Sequence, residues 1–285
     1  MATAPDAPAR PALRYYGGKW NLAPWIIGHF PPHKNYVEPC GGAASVLLQK
    51  PRSPLETYND LDGNVVNFFR VLRDQPDELI RKIRLTPWAR EEYENCLAVA
   101  IGNEVEMARK FYVRACMSFN GAVCDNKRTY GWRHTLDHNM RSTPAWDMVN
   151  NTLKEIAKRL LGVQIERQDY QDVIKRFDNS NALIYLDPPY RQGQRTQGFF
   201  YTFEWGDSDH IAAAELLRQC AGYVVVSGYA CPLYADLYEA HGWVRRDKEA
   251  QTNSGGKRIE SLWLSTRTWR ALQDGAGLPL FGGAS

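Results

Sequence analysis

The stretch "IYLDPPYRQGQ", Ile184 to Gln194, runs from a hydrophobic segment into one carboxylate, two consecutive prolines and an aromatic ring, then turns fully polar. Neither proline can donate a backbone hydrogen bond, so a β-ladder stops there. Asp187-Pro188-Pro189-Tyr190 therefore sits where a strand ends. In an open α/β sheet the carboxyl ends of strands are where ligands bind. The four residues offer a carboxylate acceptor, a backbone carbonyl at Pro188 held on a fixed φ, and a ring face at Tyr190. A strand cap followed by a surface loop is the bland alternative.

Two further features fall into a functional order with this one. "NYVEPCGGAASVLLQK" reads as a short strand, Tyr36 to Glu38, then a turn with Gly41 and Gly42, then a helix from Ala43. Glycines at such a turn let a ligand approach the backbone at a helix N-terminus. A second strand ends near Asp60, roughly twenty residues on, where an acid reaches the ribose hydroxyls of an adenosine-containing cofactor. Asp60 could instead cap the next helix, a role open equally to Asn59 or Asp62.

The elements that position these residues read as β-α-β-α, which predicts a parallel sheet. Val65, Val66, Phe69 and Leu72 fall on one face of the second helix. Asp77 to about Leu161 is helical and strand-poor, interrupted by a Gly/Asn/Arg-rich loop from Asn120 to Arg141. Strand signals resume at "VQIERQ" and "ALIYLD" and continue at "YVVVSGY" and "SLWLST". Gly255-Gly256 reads as the hairpin turn joining the last two strands. The division expected is a disordered leader over 1–12, a sheet domain over 13–75 and 162–270, a helical insert over 76–161, and a mobile tail over 271–285.

Composition narrows the class. The formal net charge of +3 is too small to argue for a nucleic-acid partner by itself. Local patterning says more: "IRKIRL" (Ile80 to Leu85) and "CDNKRTYGWRH" (Cys124 to His134) concentrate basic residues, and the second interleaves aromatics. No apolar run approaches bilayer length, so no membrane association is expected. Six cysteines without a C-x-x-C pair argue for reduced cytoplasmic thiols. His134 and His138 are four apart, as in a metal pair, but no third ligand is evident, so no metal is expected.

Taken together, these residues resemble the Dam-like (D12, α-class) adenine-N6 DNA methyltransferases, from about Arg14 to Thr266. "YYGGKW" (Tyr15 to Trp20) resembles that family's N-terminal cofactor motif. "VEPCGGAASV" is similar to its Gly-rich cofactor loop, with Cys40 where the family usually has Phe. "YNDLD" resembles its ribose-binding stretch and "DPPY" its catalytic motif. "FYVRACMSFNGAVCDNK" is similar to the segment that opens its DNA-recognition hairpin. The order of motifs is also the α-class order.

The resemblance implies a Rossmann-like S-adenosylmethionine-dependent methyltransferase sheet with an inserted helical target-recognition subdomain. It implies methyl transfer from S-adenosylmethionine to adenine N6 in double-stranded DNA. Tyr15, Lys19, Glu38, Pro39, Gly41, Asp60 and Asp187 are its implied cofactor residues. Asp187, Pro188 and Tyr190 are the catalytic candidates: hydrogen bonds to both protons of the conjugated amine draw it toward a tetrahedral, nucleophilic geometry, while the ring stacks on the base. A base inside a duplex cannot reach such a pocket, so it must flip out. Arg114, Asn120, Lys127, Arg128 and Arg133 are expected at the nucleic acid. An RNA adenine methyltransferase and a non-catalytic DNA-binding module are the alternatives. A cytoplasmic, nucleoid-associated enzyme is expected, with or without a restriction nuclease partner. "GLPLF" (Gly277 to Phe281) resembles the short peptides with which bacterial proteins bind the replication sliding clamp, with Gly277 replacing their glutamine.

Overall fold

A computed structural model describes residues 4–5, 7–97, 103–118, 131–133, 144–191, 202–251 and 257–276. Among them, seven strands form one sheet: β1 (Asn35–Glu38), β2 (Leu55–Asn59), β3 (Gln164–Glu166), β4 (Ala182–Leu186), β5 (Tyr223–Gly228), β6 (Val244–Gln251) and β7 (Lys257–Leu264). Their order is β3-β2-β1-β4-β5-β7-β6. The first five are mutually parallel, and β7 runs antiparallel to both β5 and β6. This is the mostly parallel, Rossmann-like sheet that the resemblance implies. All five residues of β4, Ala-Leu-Ile-Tyr-Leu, are buried, as expected of a central strand with helices over both faces. The chain steps outward from β1 to β3, then returns to lay β4 on the other side of β1. That reversal opens a crevice at the strands' carboxyl ends.

The helices are α1 (Ala23–Ile27), α2 (Ser45–Gln49), α3 (Gly63–Asp74), α4 (Pro76–Arg84), α5 (Arg90–Leu97), α6 (Glu104–Met117), α7 (Pro144–Leu160), α8 (Tyr170–Phe177), α9 (Asp207–Arg218), α10 (Pro232–Leu237) and α11 (Thr266–Ala276). Asp62 caps α3, its Oδ1 accepting from the Asn64 N–H at 2.9 Å, so the cap falls on one of the residues the sequence left open. Val65, Val66, Phe69 and Leu72 are buried as their spacing predicts. Within "IRKIRL", Ile80 and Ile83 are buried with Leu79, so its basic residues line the polar face of an amphipathic helix. Among the described residues no helix is long and apolar enough to cross a membrane.

Helices α3, α4, α6 and α7 share one apolar core with the sheet: Phe68, Leu79, Phe111 and Ile156 pack in the same cluster as Tyr36, Tyr58 and Tyr185. Val37, Ile184, Val226 and Trp263 face the other way, against α8, α9 and α10. A buried ion cluster ties α7 to the sheet. Arg159 donates to both oxygens of Glu56 on β2, at 2.6 and 2.9 Å, and Lys50 donates to the same carboxylate at 2.6 Å. Arg159 also donates to the Leu47 carbonyl. Burial pulls the Lys50 ammonium down to about 8 against the attraction of Glu56. Burial would raise the Glu56 carboxyl, but its hydrogen bond to Arg159 and the Lys50 charge hold it below the usual value.

Three segments differ from their expected form. Ala4 in the leader donates to the Gln49 carbonyl at 2.8 Å, and Ala12 at its end is buried in the main core, so these contacts hold part of a stretch whose composition suggests disorder. Residues 271–276, assigned to the tail, belong to α11. Strand β6 does not stand out in the sequence: "VRRDKEAQ" has no apolar alternation because it is an edge strand, paired on one side by β7. The partner of β7 in the expected hairpin is therefore β6 rather than β5.

Candidate functional site

A cleft of about 280 Å³ opens at the carboxyl ends of β1, β2 and β4. Its walls come from the Tyr15–Lys19 segment, the Glu38–Ser45 loop, Asn59 to Asp62, Gln168 to Tyr170, Asp187, and Thr202 to Trp205. Residues far apart in the chain meet here because the strand order brings three loop ends together.

The loop after β1 is held by its neighbours. The Gly41 N–H donates to the Asn59 carbonyl at 2.8 Å, and a Cβ at Gly41 would stand 2.2 Å from the Tyr58 ring, so only glycine fits. Gly42 has φ +46°, in the region that favours glycine. The Tyr58 hydroxyl donates to the Gly42 carbonyl at 2.7 Å. Asn59 links three loops by donating to the Pro39 and Gln168 carbonyls and accepting from the Gln168 N–H.

Asp60 lies under this loop. Its carboxylate accepts from the Gly42 N–H and the Asp62 N–H, each at 2.8 Å. Burial nonetheless pushes its pKa up to about 6. Glu38 at the end of β1 is 2% exposed and accepts from the Tyr36 hydroxyl and the Leu47 N–H. Burial pushes this carboxyl up to about 8, so it is largely protonated at neutral pH.

Asp187 is held from two sides. Ser227 on β5 donates to its Oδ1 at 2.7 Å. Because that bond uses the serine proton, the Tyr185 hydroxyl, 3.0 Å from Ser227, is the donor in its own contact. The other oxygen pairs with Lys19 Nζ at 3.2 Å, and Lys19 also donates to the Gly17 carbonyl. Burial alone would lower the Lys19 pKa, but the charges of Asp187 and Glu260 raise it. Lys19 therefore stays an ammonium and cannot act as a base at neutral pH.

Tyr190 is almost buried, with the Lys19 ammonium 4.4 Å from its ring centroid. Its hydroxyl donates to Glu260 on β7 at 2.9 Å, and Tyr229 packs edge-on at 4.6 Å. The ring does not line the cleft, so part of the expected stacking surface is already covered by the protein itself. Pro188 is buried and does not line it either.

The structure thus gathers Tyr15, Lys19, Glu38, Pro39, Gly41, Asp60 and Asp187 around one space. Arg114 is not among them. It sits on α6, where burial lowers its pKa, and its Nε has no hydrogen-bond partner among the described residues. The Arg133 N–H donates to the Met117 carbonyl, and the Arg133 carbonyl accepts from Trp88, which fixes its backbone against α6. Asn120, Lys127, Arg128, His134 and His138 lie outside the described residues, as does segment 277–281. Ser227 and Glu260 escaped the sequence reading. Their only signal was a polar side chain within or beside an apolar strand run.

Comparison with known proteins identifies the family. The pattern of the family described as D12 class N6 adenine-specific DNA methyltransferase matches residues 15–252. A type II methyltransferase, M1.LlaDCHI, of Lactococcus lactis subsp. cremoris is 26% identical over 277 residues, covering 89% of this chain and 94% of its own. DNA adenine methylases of Serratia marcescens and Haemophilus influenzae are each 23% identical. They cover 81% and 75% of this chain, and 87% and 76% of their own. With the family pattern spanning the cleft, the Gly-rich loop and the Asp187 strand end together, the chain belongs to the D12 class of N6 adenine-specific DNA methyltransferases.

Proposed function

We propose that the enzyme transfers a methyl group from S-adenosylmethionine to the N6 amine of an adenine flipped out of double-stranded DNA at a specific sequence. The observation that carries this reading is the convergence of Asp60, Lys19 and Asp187 on one cleft. The residues fit that donor. Asp60 offers a carboxylate to a pair of ribose hydroxyls, and Ser45 adds a buried hydroxyl in the cleft wall with no partner among the described residues. The acidic lining of Asp60, Asp169 and Asp187 suits a cationic ligand. When bound, S-adenosylmethionine supplies an electrophilic methyl on a sulfonium centre.

The chain's own residues do the rest. Asp187 accepts a hydrogen bond from the adenine amine and the Pro188 carbonyl accepts a second, shifting the nitrogen lone pair out of conjugation. Lys19 and Ser227 fix the carboxylate before the base arrives, so positioning supplies much of the rate. Tyr190, anchored by Glu260, backs the same corner. Residues 76–161 carry target recognition, with Arg114, Asn120, Lys127, Arg128 and Arg133 at the nucleic acid. The type II name of the lactococcal relative supports sequence-specific modification. A pull-down with a bacterial sliding clamp tests the separate proposal that 277–281 docks there.

The deciding experiment is methylation of genomic DNA with labelled S-adenosylmethionine, followed by mapping of N6-methyladenine. Duplex DNA should be methylated in one short sequence context, and RNA of the same sequence should not. Equal transfer to RNA would replace the substrate assignment.

The Asp60 role has a pH signature. With a pKa near 6, the carboxylate is mostly ionised above that value and mostly protonated below it. Only the ionised form accepts from both hydroxyls. Affinity of the free enzyme for S-adenosylmethionine should therefore fall as pH drops through about 6, by up to tenfold per pH unit below it. The Asp60→Asn variant should bind weakly with no step there. Calorimetry across pH 5–8 checks this, and a wild-type profile flat across pH 6 would remove Asp60 from the ligand.

A further inference from the structure

The edge strand β6 separates its charges by face. Cross-strand pairing sets Arg246 opposite Leu262, Lys248 opposite Glu260 and Ala250 opposite Arg258, so these side chains share one face. On the other face Arg245 is neutralised by Glu239 and Asp247, each at 3.2 Å. Arg246 and Lys248 have no carboxylate partner among the described residues. They lie against aromatic rings instead: the Arg246 guanidinium is 4.1 Å from the Trp269 centroid on α11, and the Lys248 ammonium is 5.8 Å from Trp25 on α1. Glu260, the carboxylate opposite Lys248, is buried and accepts from Tyr190. Arg258 donates to the Tyr229 hydroxyl at 3.1 Å, and Tyr229 packs on Tyr190. Cations thus run from Arg258 on β7, beside the Asp187 corner, across to Lys248 and Arg246 on the edge strand β6.

We propose that Arg258, Lys248 and Arg246 form a track for the phosphate backbone of DNA flanking the target adenine. This rests on the duplex-DNA reading given above. Lys248 and Arg246 are alternate residues of β6 and repeat at about 7 Å, close to the separation of successive phosphates along one nucleic-acid strand. Stacking on Trp269 and Trp25 pre-orients the long side chains, which lowers the ordering cost of binding. Phosphate contacts of this kind add affinity and register without reading sequence.

The test is the salt dependence of duplex binding by the full chain, measured by anisotropy for wild type, Lys248→Gln, Arg246→Gln, the double variant and Arg245→Gln. Each track substitution should lower the slope of log affinity against log salt by about one unit. The double variant should then lose about tenfold less affinity than wild type between 50 and 200 mM salt. The loss should be equal on target and non-target duplexes, and Arg245→Gln should match wild type. Lys248 is exposed, so Lys248→Gln alone decides the matter if losing the Trp269 stack unfolds the double variant. Unchanged slopes, or an equal effect of Arg245→Gln, would overturn the track. Methyl transfer by the wild type is scored on the same duplexes. Transfer with unchanged slopes sinks only the track, whereas binding without transfer sinks the enzymatic reading and leaves the slopes to judge the track.

Discussion

Asp187→Ala should lower methyl transfer by a factor of hundreds or more while leaving duplex binding largely intact. Removing one preorganised hydrogen-bonding group from a reacting centre typically costs on the order of 100- to 1,000-fold, and phosphate contacts carry most of the affinity. The structure sharpens the expectation. Ser227 and Lys19 both aim at this carboxylate, so alanine also leaves a buried ammonium without the carboxylate it pairs with directly. Asp187→Asn keeps one acceptor oxygen but sets an amide NH2 against Lys19 or against the Ser227 hydroxyl, so it should fall nearly as far. Single-turnover transfer with bound duplex separates chemistry from binding. Near wild-type turnover in Asp187→Ala would make the assignment wrong. At Tyr190, Phe should be milder than Ala because the ring keeps its packing. It should not be silent, since the buried Glu260 loses its donor, worth about 1–3 kcal/mol.

The largest stability effect is expected at Glu56. Glu56→Ala strands Lys50 and Arg159 as two like charges, each 1% exposed at its side chain. Breaking a buried ion pair from one side typically costs about 3–5 kcal/mol. Replacing the cluster as a set, with Glu56→Leu, Lys50→Met and Arg159→Met, should recover most of that loss, because no charge is then left behind. The wild-type contribution also has a pH window. A carboxyl held below its unfolded value adds stability above the unfolded pKa of about 4.3, and loses it as pH falls through the lower folded value. Urea unfolding should show the midpoint of Glu56→Ala shifted down at an unchanged slope. A loss under 1 kcal/mol would mean that water reaches the cluster.

Much of the cleft was legible because its residues obey local rules. Pro188 and Pro189 end a ladder wherever they fall, Gly41 and Gly42 mark a backbone turn, and the spacing to Asp60 follows from one strand-helix-strand unit. Helix α3 was readable from four apolar positions on one face. What stayed hidden depends on contacts between distant segments. Ser227 sits in a run that reads only as a buried strand, and its link to Asp187 exists because β4 and β5 pair. Glu260 likewise needs β7 beside β5. Strand β6 carries alternating charges rather than apolar residues, and nothing local separates that from a solvated loop. The joint between the helical block and the sheet was also invisible, since Arg159 and Glu56 are 103 residues apart.

The pairing of β1 with β4 has a consequence for how the chain is made. About 150 residues lie between Glu38 and Leu186, roughly 7–30 s of synthesis at the usual elongation rates. Through that interval β1 can pair with β2 but has no partner on its other edge, although all four of its residues are buried in the finished protein. The two sides of the cleft therefore meet only after the helical block has left the ribosome. A nascent chain stalled before β4 holds the Gly-rich loop and Asp60 without Asp187, and exposes an unpaired strand edge of the kind that seeks other chains. Contacts of such long sequence separation also form slowly. Faster elongation shortens that exposure, while cooling prolongs it and weakens the apolar attraction between chains.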